Sequence, residues 1–361
     1  MVVAEPAPHR YAALDALRGI CACAVVLYHI RPTGWLTANP LATQAWLFVD
    51  FFFVLSGFVI AASYRARIAE GFSVARFMGL RLGRVYPLHL AVLLLMAALV
   101  PLTHAGGFMG DRSWPDFVRG LLLLNAQGLD HRAGWNIPSW SIAAEVWTYL
   151  LFALVVRLAG RRALMVFALL AVAALLIVAR QSPTGLDTTY DWGVVRCIYG
   201  FSLGMIVQAA RTKAGIRFAG VLEMGCALLA LLTVTYGDYR GVGLAAPLVF
   251  AALIYVYSFQ AGPLSRLLLT PVPMMLGTWS YSIYMIHWLV LYLAMGLLGK
   301  VGETWHIALI PVQALGPALT VQTENSALTL LLVAIVIGCA RLSYRFIERP
   351  ARAWSRKILM D

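Results

Sequence analysis

Apolar runs of about 16 to 20 residues, unbroken by charge, recur along the whole chain; Ala163–Ala179 and Ala327–Ala340 with its flanks are examples. A run of that length as a helix matches a hydrocarbon layer about 30 Å thick. Hydrocarbon offers no water to a backbone amide, so only helices or closed barrels can cross it. Barrel strands would read as short segments alternating apolar and polar residues. These runs are continuous, so the expected class is all-α. Composition agrees: of 361 residues, 61 % are hydrophobic and 12 % charged, against about 25 % charged in a soluble domain. Disordered, collagen-like and disulfide-stapled classes are excluded by the same figures and by a count of five cysteines.

The reading is a polytopic membrane helix bundle of about ten transmembrane helices, forming a single integral-membrane domain over residues 1–361. The spans fall near 14–33, 45–63, 85–102, 139–157, 163–179, 194–210, 218–236, 241–259, 275–298 and 326–347. Phe117–Asn125 is apolar but too short to cross, and reads as a buried or interfacial helix. The first span is read as retained rather than cleaved, because Asp15 and Arg18 stand in its opening turns. With the N-terminus inside, eighteen basic residues fall on the cytoplasmic side, seven on the other and three within spans. That bias puts both the N-terminus and the C-terminus in the cytoplasm. The net charge of +12 is thereby assigned to orientation in a lipid bilayer, not to nucleic acid. Cys21, Cys23, Cys197, Cys226 and Cys339 all lie in apolar runs and are expected as buried thiols.

Ionisable groups inside a span are costly and mark function. Arg18 and His29 are eleven residues apart, which puts them on one helix face about 16 Å apart in depth. Asp50 enters the second span at a depth similar to His29. A carboxylate beside an imidazole orients its tautomer and stabilises the imidazolium, as a general base requires. Glu145, four residues after Ser141, reaches the same depth from the fourth span, or else neutralises the buried Arg196. On the cytoplasmic side Arg81 and Arg84 share a face near the expected start of the third span. A helix N-terminus there would add amide donors for phosphate, although ordinary positive-inside charge would produce the same pair. Tyr284 and His287 share a face of the ninth span and could line the outer chamber or belong to an aromatic cluster. Glu348 is expected to hold a cytoplasmic arginine. Gly200 and Gly204 form a small-xxx-small pair suited to close helix packing, with a homodimer contact as the other use.

Six of these marks occur in one order: Arg18 with ten residues before His29, Asp50 ahead of the Phe-rich run to Ser56-Gly57-Phe58, Arg81-x-x-Arg84-x-x-Pro87, Trp140-Ser141-x-x-x-Glu145, Ser280-Tyr281 through His287, and Tyr344-x-x-x-Glu348-x-Pro350. In this the chain resembles the acyltransferase-3 family of integral-membrane acyltransferases. The resemblance covers nearly the whole chain and implies transfer of an acyl group, usually acetyl, from cytoplasmic acyl-CoA to a hydroxyl on the other side. The acceptor so implied is an extracytoplasmic glycan, a lipid-linked saccharide or a secondary metabolite, and the setting a bacterial cytoplasmic (inner) membrane. By the same resemblance His29 and Asp50 are expected to be catalytic, with Glu145 beside them, and Arg18, Arg81 and Arg84 to bind the donor. Ser141, Tyr284 and His287 are candidates for substrate or oxyanion contacts, and no metal is expected. Some relatives carry an extra soluble hydrolase-like domain, and the chain is expected to be a membrane-only form.

The expected mechanism is direct attack, with His29 taking the acceptor's proton, rather than a covalent acyl-enzyme. Cys21 and Cys23 are about 80° and 120° around the helix from His29, which disfavours a Cys–His pair within that span. The rival reading is a multi-pass transporter or flippase that uses intramembrane Arg, His and Asp as a path, although no internal repeat of the transporter kind is visible. Trp114, Asp116, Asp130, His131, Trp135 and His306, in the two longest outer segments, are candidates for acceptor recognition.

Overall fold

The computed structural model describes residues 11–30, 39–103, 113–129, 134–212, 214–305 and 326–360. Every regular element among them is helical. In chain order these are α1 (Ala12–Ile30), α2 (Pro40–Thr43), α3 (Phe48–Ala69, entered through a 3-10 turn), α4 (Val74–Thr103) and α5 (Trp114–Leu121). Then follow α6 (Ser139–Ala159), α7 (Ala163–Gln181), α8 (Gly193–Ala210), α9 (Ala219–Thr235) and α10 (Arg240–Tyr257). The last four are α11 (Pro263–Leu268), α12 (Pro271–Trp305), α13 (Ser326–Ser343) and, after a π-helical turn, α14 (Arg349–Met360).

Over its described residues, each apolar run expected to span coincides with a helix to within a few residues. Among the described residues, eight helical segments are long and apolar enough to cross a membrane; one of them, Ser139–Gln181, contains both α6 and α7, and the apolar α9 is shorter. The outward faces are apolar rather than charged: Met165, Leu169 and Val172 on α7 and Val221, Leu228 and Leu231 on α9 are all exposed. A water-soluble bundle would bury such residues; a lipid-facing one has no reason to.

Packing relies on glycine, because without a hydrophobic driving force between helices close backbone approach supplies the attraction. A Cβ on Gly19 of α1 would collide with the backbone of Leu276 and Gly277 on α12, and one on Gly277 would strike Asp15. The Gly200 and Gly204 pair behaves likewise: a Cβ at Gly204 would strike the backbone of Val54 on α3, and Gly57 on α3 abuts Phe201. That glycine face is therefore consumed inside the chain, and a homodimer gains no support from it. The short helix expected around Phe117 is α5, opened by a capping box of Ser113 and Asp116. It is tied to α4 by Tyr86, whose hydroxyl donates to Leu121 O at 2.9 Å, and by His89, whose Nε2 contacts Gly120 O at 2.9 Å.

Candidate active site

Five helices each turn one face toward one open cavity. From α3 come Val49, Phe52, Ser56 and Val59, recurring at three- and four-residue steps, so the wall is mainly apolar. From α6 come Ser141, Glu145 and Tyr149 at four-residue steps, and from α12 Ser280, Tyr281 and Tyr284. From α1 and α4 come three cations, Arg18, Arg81 and Arg84. The arginines expected near the cytoplasmic surface thus share one cavity with Ser141, Glu145 and Tyr284, which were expected in the outer half.

Each cation is held differently. Arg18 donates from Nε to Ser280 Oγ at 2.7 Å and pairs with Asp15 Oδ1 at 3.0 Å, so it links α1 to α12 instead of snorkelling alone. Arg81 donates to Tyr64 OH at 3.1 Å and stands over that ring, while its buried Nε has no partner among the described residues. Arg84 lines the cavity and makes no hydrogen bond or ion pair among the described residues. Glu348 is buried, accepting from Ser282 Oγ at 2.7 Å and pairing with Arg352 at 3.3 Å. It thereby ties Arg352 of the C-terminal helix to α12.

One part of the phosphate argument is corrected. Arg81 and Arg84 do not open a helix, because α4 begins at Val74 and carries both, with Pro87, in its interior. Their backbone N–H groups are spent within the helix, so only the guanidinium groups face the cavity. Sequence reading had begun the span where the long apolar stretch starts, and missed the amphipathic turns ahead of it.

A second correction concerns Asp50. The expected pair with His29 is not formed. Asp50 is fully buried, and Arg196 grips its carboxylate through Nε to Oδ1 at 3.0 Å and Nη2 to Oδ2 at 2.7 Å. Arg196 also donates to Thr188 O at 3.0 Å and is sandwiched between the rings of Trp46 and Trp140. Glu145 is therefore not the counter-ion of Arg196.

His29 instead meets His287. Its Nδ1 lies 2.9 Å from Val25 O and 3.3 Å from His287 Nε2, and the two rings are 4.9 Å apart. His287 is fully buried, with Nδ1 2.6 Å from Tyr284 O. Trp288 packs edge-on to His29. Neither imidazole lines the cavity; Tyr284, which does and which is hydrogen-bonded to Ser141 Oγ at 2.8 Å, has its ring 5.8 Å from that of His287. Tyr149, bonded to Ser56 Oγ at 2.9 Å, also lines the cavity, one turn after Glu145 on the same helix face.

Among the outer-segment candidates, Trp114 is exposed and packs on Trp135 and Phe117, while Asp116 is buried and paired with Arg119. Asp130, His131 and His306 lie outside the described residues.

A family model described as "Acyltransferase domain" matches residues 11–344, nearly the whole chain. The chain belongs to this acyltransferase family. The acyltransferase is 28 % identical to the acyltransferase MdmB of Streptomyces mycarofaciens, in a match that covers 94 % of the chain and 91 % of that relative. It is 25 % identical to the putative membrane-bound transacylase BcsY of Komagataeibacter xylinus, covering 76 % of the chain and 71 % of the relative. It is 23 % identical to the peptidoglycan O-acetyltransferase OatA of Listeria monocytogenes over 94 % of the chain, and there it spans 55 % of the relative's length. No solved structure matches the acyltransferase. Membership and the lipid-compatible helices together make it a multi-pass membrane acyltransferase that transfers groups other than aminoacyl groups.

Proposed function

We propose that this acyltransferase moves an acyl group, acetyl in the first instance, from cytoplasmic acyl-CoA to a hydroxyl of an extracytoplasmic glycan or lipid-linked saccharide. In this reading the chain crosses a bacterial cytoplasmic membrane ten times, with both termini inside. The observation that carries it is the convergence of Arg18, Arg81 and Arg84 on a cavity whose remaining wall is apolar, apart from Ser56, Ser141, Glu145, Ser280 and three tyrosines. Phosphates need cations presented in a desolvated setting, whereas a pantetheine arm and acyl group need an elongated apolar wall. The α3 face supplies the second, and the arginines supply the first.

The chemical step follows. The acceptor hydroxyl gives its proton to His29 Nε2 as its oxygen attacks the thioester carbonyl carbon. The C–O bond forms, the tetrahedral oxyanion collapses, the C–S bond breaks, and the CoA thiolate leaves with the proton returned from His29. Tyr284 is the candidate donor to the oxyanion and Glu145 a polar group within reach of the acceptor. Asp50 acts through Arg196, holding α3 against α8 and the Trp140 turn that begins the Ser141–Glu145 wall. OatA is by name a peptidoglycan O-acetyltransferase, which supports a cell-envelope saccharide as the acceptor.

The test is calorimetric titration of the purified, detergent-solubilised protein with acetyl-CoA, beside the Arg84→Gln variant. Binding that weakens at least about tenfold in the variant supports the reading. A folded wild-type protein that binds no acyl-CoA removes acyl-CoA as the donor.

A further inference from the structure

The imidazoles of His29 and His287 constrain each other's protons. A backbone carbonyl can only accept, so the nitrogen facing it must carry the hydrogen. His29 Nδ1 faces Val25 O at 2.9 Å, and His287 Nδ1 faces Tyr284 O at 2.6 Å. Both rings are therefore protonated at Nδ1. If His287 also carried a proton on Nε2, two N–H groups would oppose each other across the 3.3 Å separating it from His29 Nδ1. His287 Nε2 therefore holds a lone pair, and the His29 Nδ1–H is shared between Val25 O and that lone pair. The remaining nitrogen of His29, Nε2, is the basic one.

We infer that His287 is the positioning residue of the acyl-transfer base: it shares with Val25 O the His29 Nδ1–H, holds the ring whose Nε2 is basic, and stabilises the imidazolium once Nε2 takes the acceptor's proton. This is the task a carboxylate performs in a hydrolase triad, and it is unfilled here by Asp50, which Arg196 holds. A neutral acceptor suits the place. His287 is fully buried, on a stretch of α12 that also buries Met285, Val290 and Leu291, and an unpaired carboxylate there would be costly in its ionised form. The α12 register supports the role: Tyr284 and His287, three residues apart, share a face, so one short segment presents a cavity hydroxyl and the orienting imidazole together. The inference rests on the reading of His29 as the base.

The experiment uses the full-length protein in lipid nanodiscs, labelled with ¹⁵N at its seven histidines, with the His29 resonances assigned by comparison with His29→Ala. In the wild-type protein His29 is expected as the Nδ1–H tautomer, with the shift of an unprotonated Nε2. His287→Met removes one of the two acceptors of His29 Nδ1–H; Val25 O keeps the hydrogen on Nδ1, so the tautomer should hold while the Nδ1–H shift moves and kcat falls at least about 100-fold with little change in donor KM. His287→Gln, whose amide oxygen can accept where Nε2 did, should restore kcat to within about tenfold of wild type. An Nε2–H tautomer in the wild-type spectrum would overturn the inference, even if neither variant folds. So would a His287→Met protein with an unchanged His29 spectrum and unchanged kcat. The two readings separate cleanly: near-normal turnover by His29→Ala sinks the base itself, whereas loss in His29→Ala with none in His287→Met sinks only the positioning role.

Discussion

Arg196 and Asp50 face each other as a two-pronged ion pair, Nε to Oδ1 at 3.0 Å and Nη2 to Oδ2 at 2.7 Å, with neither side chain more than 1 % exposed. Removing one partner of such a pair leaves a buried charge and costs about 3–5 kcal/mol, while replacing both by apolar residues is often neutral. Asp50→Leu and Arg196→Met are therefore each expected to lower thermal stability strongly, and the double variant to recover most of it. Activity then separates structural from chemical roles. If Asp50 acts only through Arg196, the double variant also recovers acyl transfer; a stable but inactive double variant would return Asp50 to the chemistry.

A second prediction concerns the α1–α12 seam. Gly19 and Gly277 let the two backbones touch, which brings Arg18 within 2.7 Å of Ser280. Gly19→Leu should destabilise by at least the roughly 1–3 kcal/mol of an overpacked core, because the obstacle is backbone and cannot rotate away. Gly225→Leu is the control, since a Cβ there meets nothing within 4 Å. Equal thermal midpoints for the two variants in detergent would show that the seam is not close-packed.

The helices were legible because hydrocarbon length and backbone satisfaction leave few choices, and the expected runs coincide with helices over their described residues, eight of whose segments are long and apolar enough to cross. The cavity lining was legible in part. Arg18, Arg81, Arg84, Ser141, Glu145 and Tyr284 were singled out as polar groups in apolar surroundings, and the structure brings all six to one cavity. What sequence could not supply was pairing across helices. Asp50 and His29 stand at similar depths, but depth is one coordinate. Rotation of α3 against α8, fixed by Gly57, Gly200 and Gly204, turns Asp50 to Arg196. Rotation of α1 against α12, fixed by Gly19 and Gly277, turns His29 to His287. Of these, Gly200 and Gly204 were readable as a close-packing pair, yet nothing in their spacing named the partner helix.

The two cysteines of α1 give a third prediction, which decides between direct attack and an acyl-enzyme. Cys21 is buried and Cys23 half-buried. A thiol nucleophile needs a neighbouring base or cation to make it a thiolate, and the His29 Nδ1 contacts are Val25 O and His287. The Cys21→Ala/Cys23→Ala variant is expected to keep at least about half of wild-type turnover. Wild-type protein quenched during turnover with radiolabelled acetyl-CoA should carry no acid-stable label on protein; label lost in the double variant would establish a covalent intermediate.

The hydroxyl pair on the cavity wall gives the fourth. Ser141 Oγ has one proton and two acceptors in range, Pro138 O at 3.0 Å and Tyr284 OH at 2.8 Å. When Ser141 donates to Tyr284, the phenol proton of Tyr284 is released toward the cavity; when Ser141 turns to Pro138, Tyr284 donates to Ser141 instead. The pair can thus present a donor to a developing oxyanion without bringing any new group into a site already formed. Losing one oxyanion donor costs about 10²–10³ in kcat. Tyr284→Phe is therefore expected to lose about that factor with donor KM nearly unchanged, since the ring that packs on Phe52 is kept. Ser141→Ala removes only the partner and should cost less than about tenfold, because the phenol proton survives. Steady-state kinetics on both variants checks the order. Equal losses would make the pair a structural latch between α6 and α12, and a Tyr284→Phe defect confined to KM would make Tyr284 a donor-binding group.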